Sequence, residues 1–220
     1  MTGLFHVSPE ATPVGFDAAG IRCTKVSVGT MDNNAYLLDT GSSLVLIDAA
    51  DEAPRLIELI GGRKLAAVIT THRHHDHVRA LADVVRHTGA QAWAGAPDEG
   101  AIAHQTAVHS AAVWSGDQIV AGDIGLDVIG LVGHTPGSIA LVLRSDDPGV
   151  ASHIFTGDSL FPGGIGATAS ASQFTSLLDG VIAEIFDRFD DDTLIHPGHG
   201  DSTTVGTQRP HLADWRARGW

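Results

Sequence analysis

Six consecutive residues, His72-Arg73-His74-His75-Asp76-His77, follow the apolar run 66–70 after a single intervening residue, Thr71. Four of them, His72, His74, Asp76 and His77, carry good metal-ligating groups at the end of a predicted strand. Imidazole nitrogen and carboxylate oxygen suit zinc, iron and manganese. Side chains alternate along extended chain, so His72 and His74 share one side. Asp76 and His77 fall where the chain turns and can face a second ion. One short segment thus supplies half the ligands of a two-metal site. A solvated polar loop is the alternative reading of the same residues.

Three later segments repeat the pattern of a polar residue at a strand end. Gly133-His134-Thr135-Pro136-Gly137-Ser138 lies between the apolar runs 128–132 and 139–143. Gly157-Asp158-Ser159-Leu160-Phe161 follows a predicted strand at 152–156, and His196-Pro197-Gly198-His199-Gly200 follows 192–195. Gly and Pro at these places mark sharp turns with close backbone approach. A strand end on a rigid sheet is where a ligand is held in fixed geometry. Taken singly, each such His or Asp is as readily a local hydrogen-bonding residue.

Taken in order, His72-x-His74-x-Asp76-His77, His134, Asp158 and His199 resemble the five motifs of the metallo-β-lactamase superfamily, over about residues 48–200. The resemblance implies an α/β (α+β) fold, a four-layer αββα sandwich with a two-metal site at one edge of the paired sheets. It implies that His72, His74 and His134 hold one divalent ion and that Asp76, His77 and His199 hold the other. Asp158 would bridge both, together with a water or hydroxide, and Asp48 would support the site. Zinc is the first expectation for the two ions, with iron or manganese open.

The cysteine-bearing antibiotic hydrolases of this superfamily place Cys where this chain has Asp158, and the one cysteine here is Cys23. A bridging Asp is similar to glyoxalase II, small thioesterases, persulfide dioxygenases, lactonases and tRNA-processing nucleases. The Gly-His-Thr-Pro-Gly-Ser and Gly-Asp-Ser-Leu-Phe turns look most like the glyoxalase II and persulfide dioxygenase branch. The run 197–204 followed by Arg209 resembles the short bacterial glyoxalase II-like proteins. Those lack the helical domain that carries glutathione-binding basic and tyrosine residues, so the carrier thiol stays open. The expected activity is a metal-dependent thioester hydrolase acting on a small acyl-thiol, with Asp76 orienting the nucleophile and moving its proton. A thiolate with a pKa near about 8.5 departs without a strong general acid, and Tyr36 is the one tyrosine. The rivals are a mononuclear iron persulfide dioxygenase using a subset such as His72, His134 and Asp158, a lactonase, and a non-enzymatic binding protein.

Composition narrows the classes. A chain of 220 residues reads as one domain, 1–220, with a sizeable core. Its formal charge of −13, with thirteen scattered Lys and Arg, opposes binding to a phosphate backbone. No apolar run reaches membrane-spanning length. The first twenty residues contain Pro9, Glu10, Pro13 and Asp17 rather than a leader pattern, so a cytoplasmic protein is expected. A single Cys excludes an intrachain disulfide.

The elements that must position these residues are legible as periodicity. Residues 21–28, 35–39 and 43–47 read as an antiparallel meander with a turn at Gly41-Ser42. Pro54 opens a helix to about Ile60. Val78, Leu81, Ala82 and Val85 have helical spacing directly after the histidine cluster, and the N-terminus of that helix would point at the site. A brief strand is expected at 91–94, and a partly helical segment at 97–115, with His104 and His109 at the surface or packed. Residues 174–189 give the strongest helix, with Leu177, Leu178, Val181, Ile182, Ile185, Phe186 and Phe189 as its core stripe. Residues 161–170 read as an irregular loop that either lines a substrate mouth through Phe161 and Ile165 or simply connects elements. Arg73 and His75 are expected to face solvent or support the site, and His196 is a candidate support. His6, His87, His153 and His211 show no chemical context. Trp215 and Trp220 would pack on the body or on a partner.

Overall fold

The computed structural model describes residues 4–8, 11–145, 147 and 149–219. Trp220, expected to pack on the body or on a partner, lies outside them. Four strands open the chain as an antiparallel meander: β1 (Val14–Ala18), β2 (Ile21–Val28), β3 (Asn33–Asp39) and β4 (Leu44–Ile47). The sheet then continues in parallel through β5 (Leu65–Thr70), β6 (Gln91–Gly95) and β7 (Ala111–Val113). Parallel neighbours need crossovers. Here these are α1 (Ala53–Ile60), α2 (Leu81–Thr88) and α3 (Ala96–Thr106). Pro54 sits in the first turn of α1, and Gly61 ends it in the left-handed conformation with its N–H on the Ile57 carbonyl. α2 begins one turn later than the spacing predicts, because residues 75–77 close a 3₁₀ turn first; Leu81 and Val84 are its buried residues, and Val85 is partly buried.

The second sheet begins with β8 (Gln118–Ala121), β9 (Ile124–Gly130), β10 (Ile139–Leu143) and β11 (His153–Gly157). After β11 comes a small hairpin, β12 (Leu160–Phe161) with β13 (Gly164–Ile165), inside the segment expected to be an irregular loop. Helix α4 (Ala171–Val181) follows, capped by the Ser170 hydroxyl on the Gln173 N–H. It widens into a π-turn at Ile182–Phe186 instead of running as one α-helix to 189. β14 (Leu194–Pro197), β15 (Thr203–Thr204), α5 (Val205–Gln208) and α6 (Leu212–Arg218) complete the chain. The sheet order is β15-β14-β11-β10-β9-β8.

Strand alternation builds three apolar layers. Ala35, Leu37, Leu44 and Leu46 point outward against Leu56, Leu81 and Ile102 of α1–α3. Their neighbours Tyr36, Leu38, Val45 and Ile47 point inward and meet Ile139, Leu141 and Phe155 of the second sheet. On the far face Ala140, Val142 and Ile154 meet Leu177, Leu178, Val181, Ile185 and Phe186, with Trp215 of α6 edge-on to Phe186. The result is the expected αββα sandwich, each fully buried aliphatic side chain contributing about 1.5–3 kcal/mol. No helix among the described residues is long and apolar enough to cross a membrane.

The layering fixes where strand ends fall. β4, β5 and β6 run parallel, as do β11 and β14. β9 is antiparallel to β10, which is antiparallel to β11. The C-terminal ends of β4, β5, β9, β11 and β14 therefore open on one edge of the sandwich.

His153, which has no sequence context, and His196, expected as a candidate support for the site, prove to be core residues. His153 and His196 are buried and stacked at 5.2 Å, with His153 Nδ1 2.9 Å from His196 Nε2 and His196 Nδ1 2.9 Å from the Ser202 hydroxyl. Phe16 stacks on both. None of these contacts reaches the histidine cluster, so His196 supports the core. Burial depresses both imidazoles, His153 to about 4. An unfolded histidine titrates near about 6.5. The unfolded chain therefore binds more protons between those values, and stability present above pH 6.5 is lost as pH falls toward 4. The denaturation midpoint of metal-stripped protein should fall across that window. His153→Phe should flatten the fall, and an unchanged slope would show that the pair is not its source.

Candidate metal centre

Each candidate ligand stands just past a strand end on the shared edge. β5 delivers Thr71 and His72, and the chain then passes through Arg73 and His74 into the 3₁₀ turn that presents Asp76 and His77. β9 leads into the turn bearing His134, β11 ends at Gly157 before Asp158, and β14 ends at Pro197 before His199.

The structure brings all seven side chains together. Ligand atoms of His72, His74 and His134 lie within 4.8 Å of one another, as do those of Asp76, His77 and His199, and those of His72, His77 and Asp158. His72 Nε2 is 3.3 Å from His134 Nε2, and His77 Nε2 is 3.2 Å from His199 Nε2. Asp158 sits between the two groups. Its Oδ2 is 3.3 Å from His199 Nε2 and 3.6 Å from His134 Nε2, and its Oδ1 is 3.4 Å from His77 Nε2. Asp76 Oδ2 is 3.3 Å from His199 Nε2.

A surrounding shell fixes the rings. His77 Nδ1 donates to Asp48 Oδ2 at 3.0 Å, His134 Nδ1 to the Ala167 carbonyl at 2.7 Å, and His199 Nδ1 to the Met31 carbonyl at 2.8 Å. His72 Nδ1 meets the Thr71 hydroxyl at 3.1 Å, which itself donates to Asp48 Oδ2. With the Nδ1 atoms of His72, His77, His134 and His199 held by these outward partners, their four Nε2 atoms turn toward Asp158. Asp48 holds a left-handed backbone, φ 57°, as it turns its carboxylate onto the Thr71 N–H, the Thr71 hydroxyl and His77. Asn33 Nδ2 donates to the Asp76 carbonyl and to Asp76 Oδ2 at 2.9 Å.

The electrostatics are those of a cation site. Burial alone would raise the Asp158 and Asp76 carboxyls. The facing imidazoles outweigh it at Asp158, and the Asn33 amide together with His77 does so at Asp76, so both stay below the usual carboxylate range. Burial likewise opposes charge on His77 and His199, yet Asp48 and Asp158 raise the first and Asp158 the second. His72 and His74 are lowered, by burial first and then by neighbouring rings. Asp158 Oδ1 is buried and accepts no hydrogen bond. Paired Nε2 atoms and an unpartnered carboxylate oxygen aimed at common points fit divalent ions. Nitrogen and oxygen donors of this kind suit zinc, iron or manganese.

Several residues here escaped the sequence reading. Asn33, Thr71 and Asn34 carry no motif. Asn34 Nδ2 donates to the Pro197 and Gly200 carbonyls, and its N–H to that of Gly198. Tyr36 donates its hydroxyl to the Pro197 carbonyl. Lys25, completely buried, donates to the Gly200 carbonyl, and burial lowers it to about 8. The polar run 32–34 before an apolar strand was the available signal. Ile165 packs into the outer core instead of a mouth, whereas the Phe161 ring stands 6.4 Å from His199. His75, His104 and His109 are exposed, and Arg73 reaches the buried Asp98.

Close approach at Gly198 leaves no room for a side chain. A Cβ there would lie 2.2 Å from Asp158 Oδ1 and 2.7 Å from His77 Cε1. Gly198→Ala should therefore push Asp158 and His77 apart and weaken metal binding by at least about 10-fold, the scale of losses from disturbed ligand support. Asp158→Ala should lower metal occupancy and activity together. Elemental analysis after dialysis checks both, and full occupancy in Asp158→Ala would refute a bridging role.

The metallo-beta-lactamase superfamily pattern matches residues 28–203. The hydroxyacylglutathione hydrolase GloC of Haemophilus influenzae is 28% identical over 196 residues, 80% of this chain and 89% of that protein. Longer hydroxyacylglutathione hydrolases match at 32%, 34% and 32% identity, and this chain's match spans only 62%, 62% and 59% of their lengths. The solved structure of TTHA1623 in a di-iron-bound form is 30% identical, with a TM-score of 0.65 over 84% of this chain and 96% of that one. The BLEG-1 B3 metallo-beta-lactamase shares the fold, with a TM-score of 0.76 at 22% identity over 88% of this chain and 99% of its own. With its layers, its strand-end cluster and a pattern match over most of its length, the chain belongs to the metallo-beta-lactamase superfamily.

Proposed function

We propose that this protein is a dinuclear metal-dependent hydrolase that cleaves thioesters of small acyl groups, in the manner of a hydroxyacyl-thiol hydrolase. The observation that carries the reading is Asp158, a carboxylate placed between two ligand sets, His72/His74/His134 and Asp76/His77/His199. Similarity to hydroxyacylglutathione hydrolases supports the same choice. Two divalent cations held there would lower the pKa of water from about 16 toward about 7 and polarise an acyl carbonyl.

The chain's own residues supply the rest. Asp76, held by Asn33 and kept ionised, orients the attacking water and accepts its proton. The bond that breaks is carbon to sulfur, and a thiolate leaves without protonation at neutral pH. That suits a cluster whose Nδ1 protons are already committed to Asp48, Ala167 and Met31. Met31, 54% exposed, and Phe161 flank His199, and Val132, 46% exposed, stands two residues before His134. These apolar side chains favour a substrate with apolar surface beside its reacting carbonyl.

Elemental analysis joined to a screen of lactoylglutathione, other thioesters, homoserine lactones and persulfides tests the reading. Two metals per chain with thioester turnover are expected. One iron with oxygen uptake on a persulfide would replace the hydrolase by a dioxygenase, and turnover of lactones alone would replace the substrate class. Phe161→Ala should raise KM for the best thioester by about 5–10-fold, the scale of one lost aromatic contact, with kcat little changed. An unchanged KM would remove Phe161 from the mouth.

A further inference from the structure

Asp98 is completely buried and belongs to no motif. It is the third residue of α3, where the first turn favours negative charge, yet its carboxylate does not cap its own helix. It reaches two separate loops. Oδ2 accepts from the Arg73 N–H at 3.0 Å and from the Thr135 hydroxyl at 2.5 Å. Oδ1 accepts from the Gly137 N–H at 3.1 Å and faces the Arg73 Nε at 3.6 Å. Each oxygen thus touches both loops. Arg73 stands between His72 and His74, and Thr135 follows His134. These loops carry the three histidines of one ligand set.

The contact is built for close approach. A Cβ on Gly137 would lie 2.7 Å from Asp98 Cβ, and a Cβ on Gly95 would lie 2.0 Å from the Gly137 carbonyl. The end of β6, the start of α3 and the His134 turn are therefore in direct van der Waals register. The other ligand set is held by different groups: Asn33 on Asp76, Asp48 on His77 and the Met31 carbonyl on His199.

We propose that Asp98 is a positioning residue for one half of the metal centre: by clamping the Arg73 and Thr135–Gly137 backbones together it sets the spacing of His72, His74 and His134, and it governs the affinity of that ion alone. The inference rests on the two-metal reading. It follows from the acceptor-only chemistry of a carboxylate. Four donors converge on two oxygens, and an amide in the same place would turn its NH2 toward two of those donors, one from each loop.

Zinc titration of metal-stripped wild type and Asp98→Asn, read by competition with a chromophoric chelator, tests it. The expected result is two zinc ions in the wild type and, in the variant, one of them about 10–100-fold weaker with the other unchanged. In the metal-free proteins, amide hydrogen exchange at Arg73 and Gly137 should speed up about 10–100-fold in the variant, the scale of a lost hydrogen bond to a charged group. Exchange at Leu141 in the central core should not change. Should Asp98→Asn fail to fold, Thr135→Val removes one bond of the clamp at nearly constant volume and should shift the same ion in the same direction. Equal weakening of both ions, or two ions bound as in the wild type, would overturn the clamp. A wild type that binds fewer than two zinc ions would overturn the two-metal reading, while exchange at Arg73 and Gly137 would still show whether the clamp exists.

Discussion

Four imidazole nitrogens, those of His72, His77, His134 and His199, lie within 4.0 Å of a single carboxylate, Asp158, whose side chain is 12% exposed. Burying a carboxylate costs several kcal/mol unless positive charge faces it. Crowding neutral imidazole lone pairs against each other is unfavourable for the same reason. Protons on His77 and His199 relieve part of this conflict, and cations relieve all of it. The surrounding structure can be understood as what it takes to hold that arrangement: outward partners for the Nδ1 atoms of these four histidines, glycine where backbones must touch, and strand ends that all open on one edge.

The two sheets must keep a fixed register for this to work, because four of the seven side chains come from one and three from the other. β3 does much of that holding. Asn33 bonds Asp76 within its own sheet, while Asn34 and Tyr36 cross to the carbonyls of residues 197, 198 and 200 on the other. Lys25 of β2 adds a buried ammonium beneath the same loop. The His199 turn thereby has its carbonyls satisfied from the opposite sheet, and its position is set by β2 and β3 as well as by the Gly198 N–H on the Gly157 carbonyl of its own sheet.

Chemistry concentrated in a few residue types was legible in the sequence. The spacing of residues 72–77, and a His or Asp at each of three later strand ends, named the seven side chains that meet in space. The helical stripe of α4 and the strand alternation named the layers. What was not legible is support delivered over long separations. Asp98 acts on residues 25 and 37 positions away, and Asn34 on residues more than 160 away. An isolated Asp or Asn carries no periodicity to betray such a partner. The π-turn in α4 and the small β12–β13 hairpin were missed because tertiary packing, not local propensity, decides them. The buried pair His153 and His196 was missed because each histidine stands alone in its strand and they become neighbours only when β11 and β14 align in parallel.

The two halves of the cluster are supported unequally. Asp76 adds a carboxylate to His77 and His199, and Asp48 bonds His77 directly, so that half would draw a cation by charge as well as by geometry. The other half is three histidines that share only Asp158. Its link to Asp48 is indirect, through the Thr71 hydroxyl, and His134 leans on a neutral carbonyl. Coulomb attraction in a partly buried site tolerates small errors of position, because it falls off slowly with distance. Coordination by neutral imidazoles does not, because it depends on lone pairs meeting at one point. The half with less charge therefore needs the stiffer frame, and the Asp98 carboxylate, tied to both of its loops, stands where that stiffness is required.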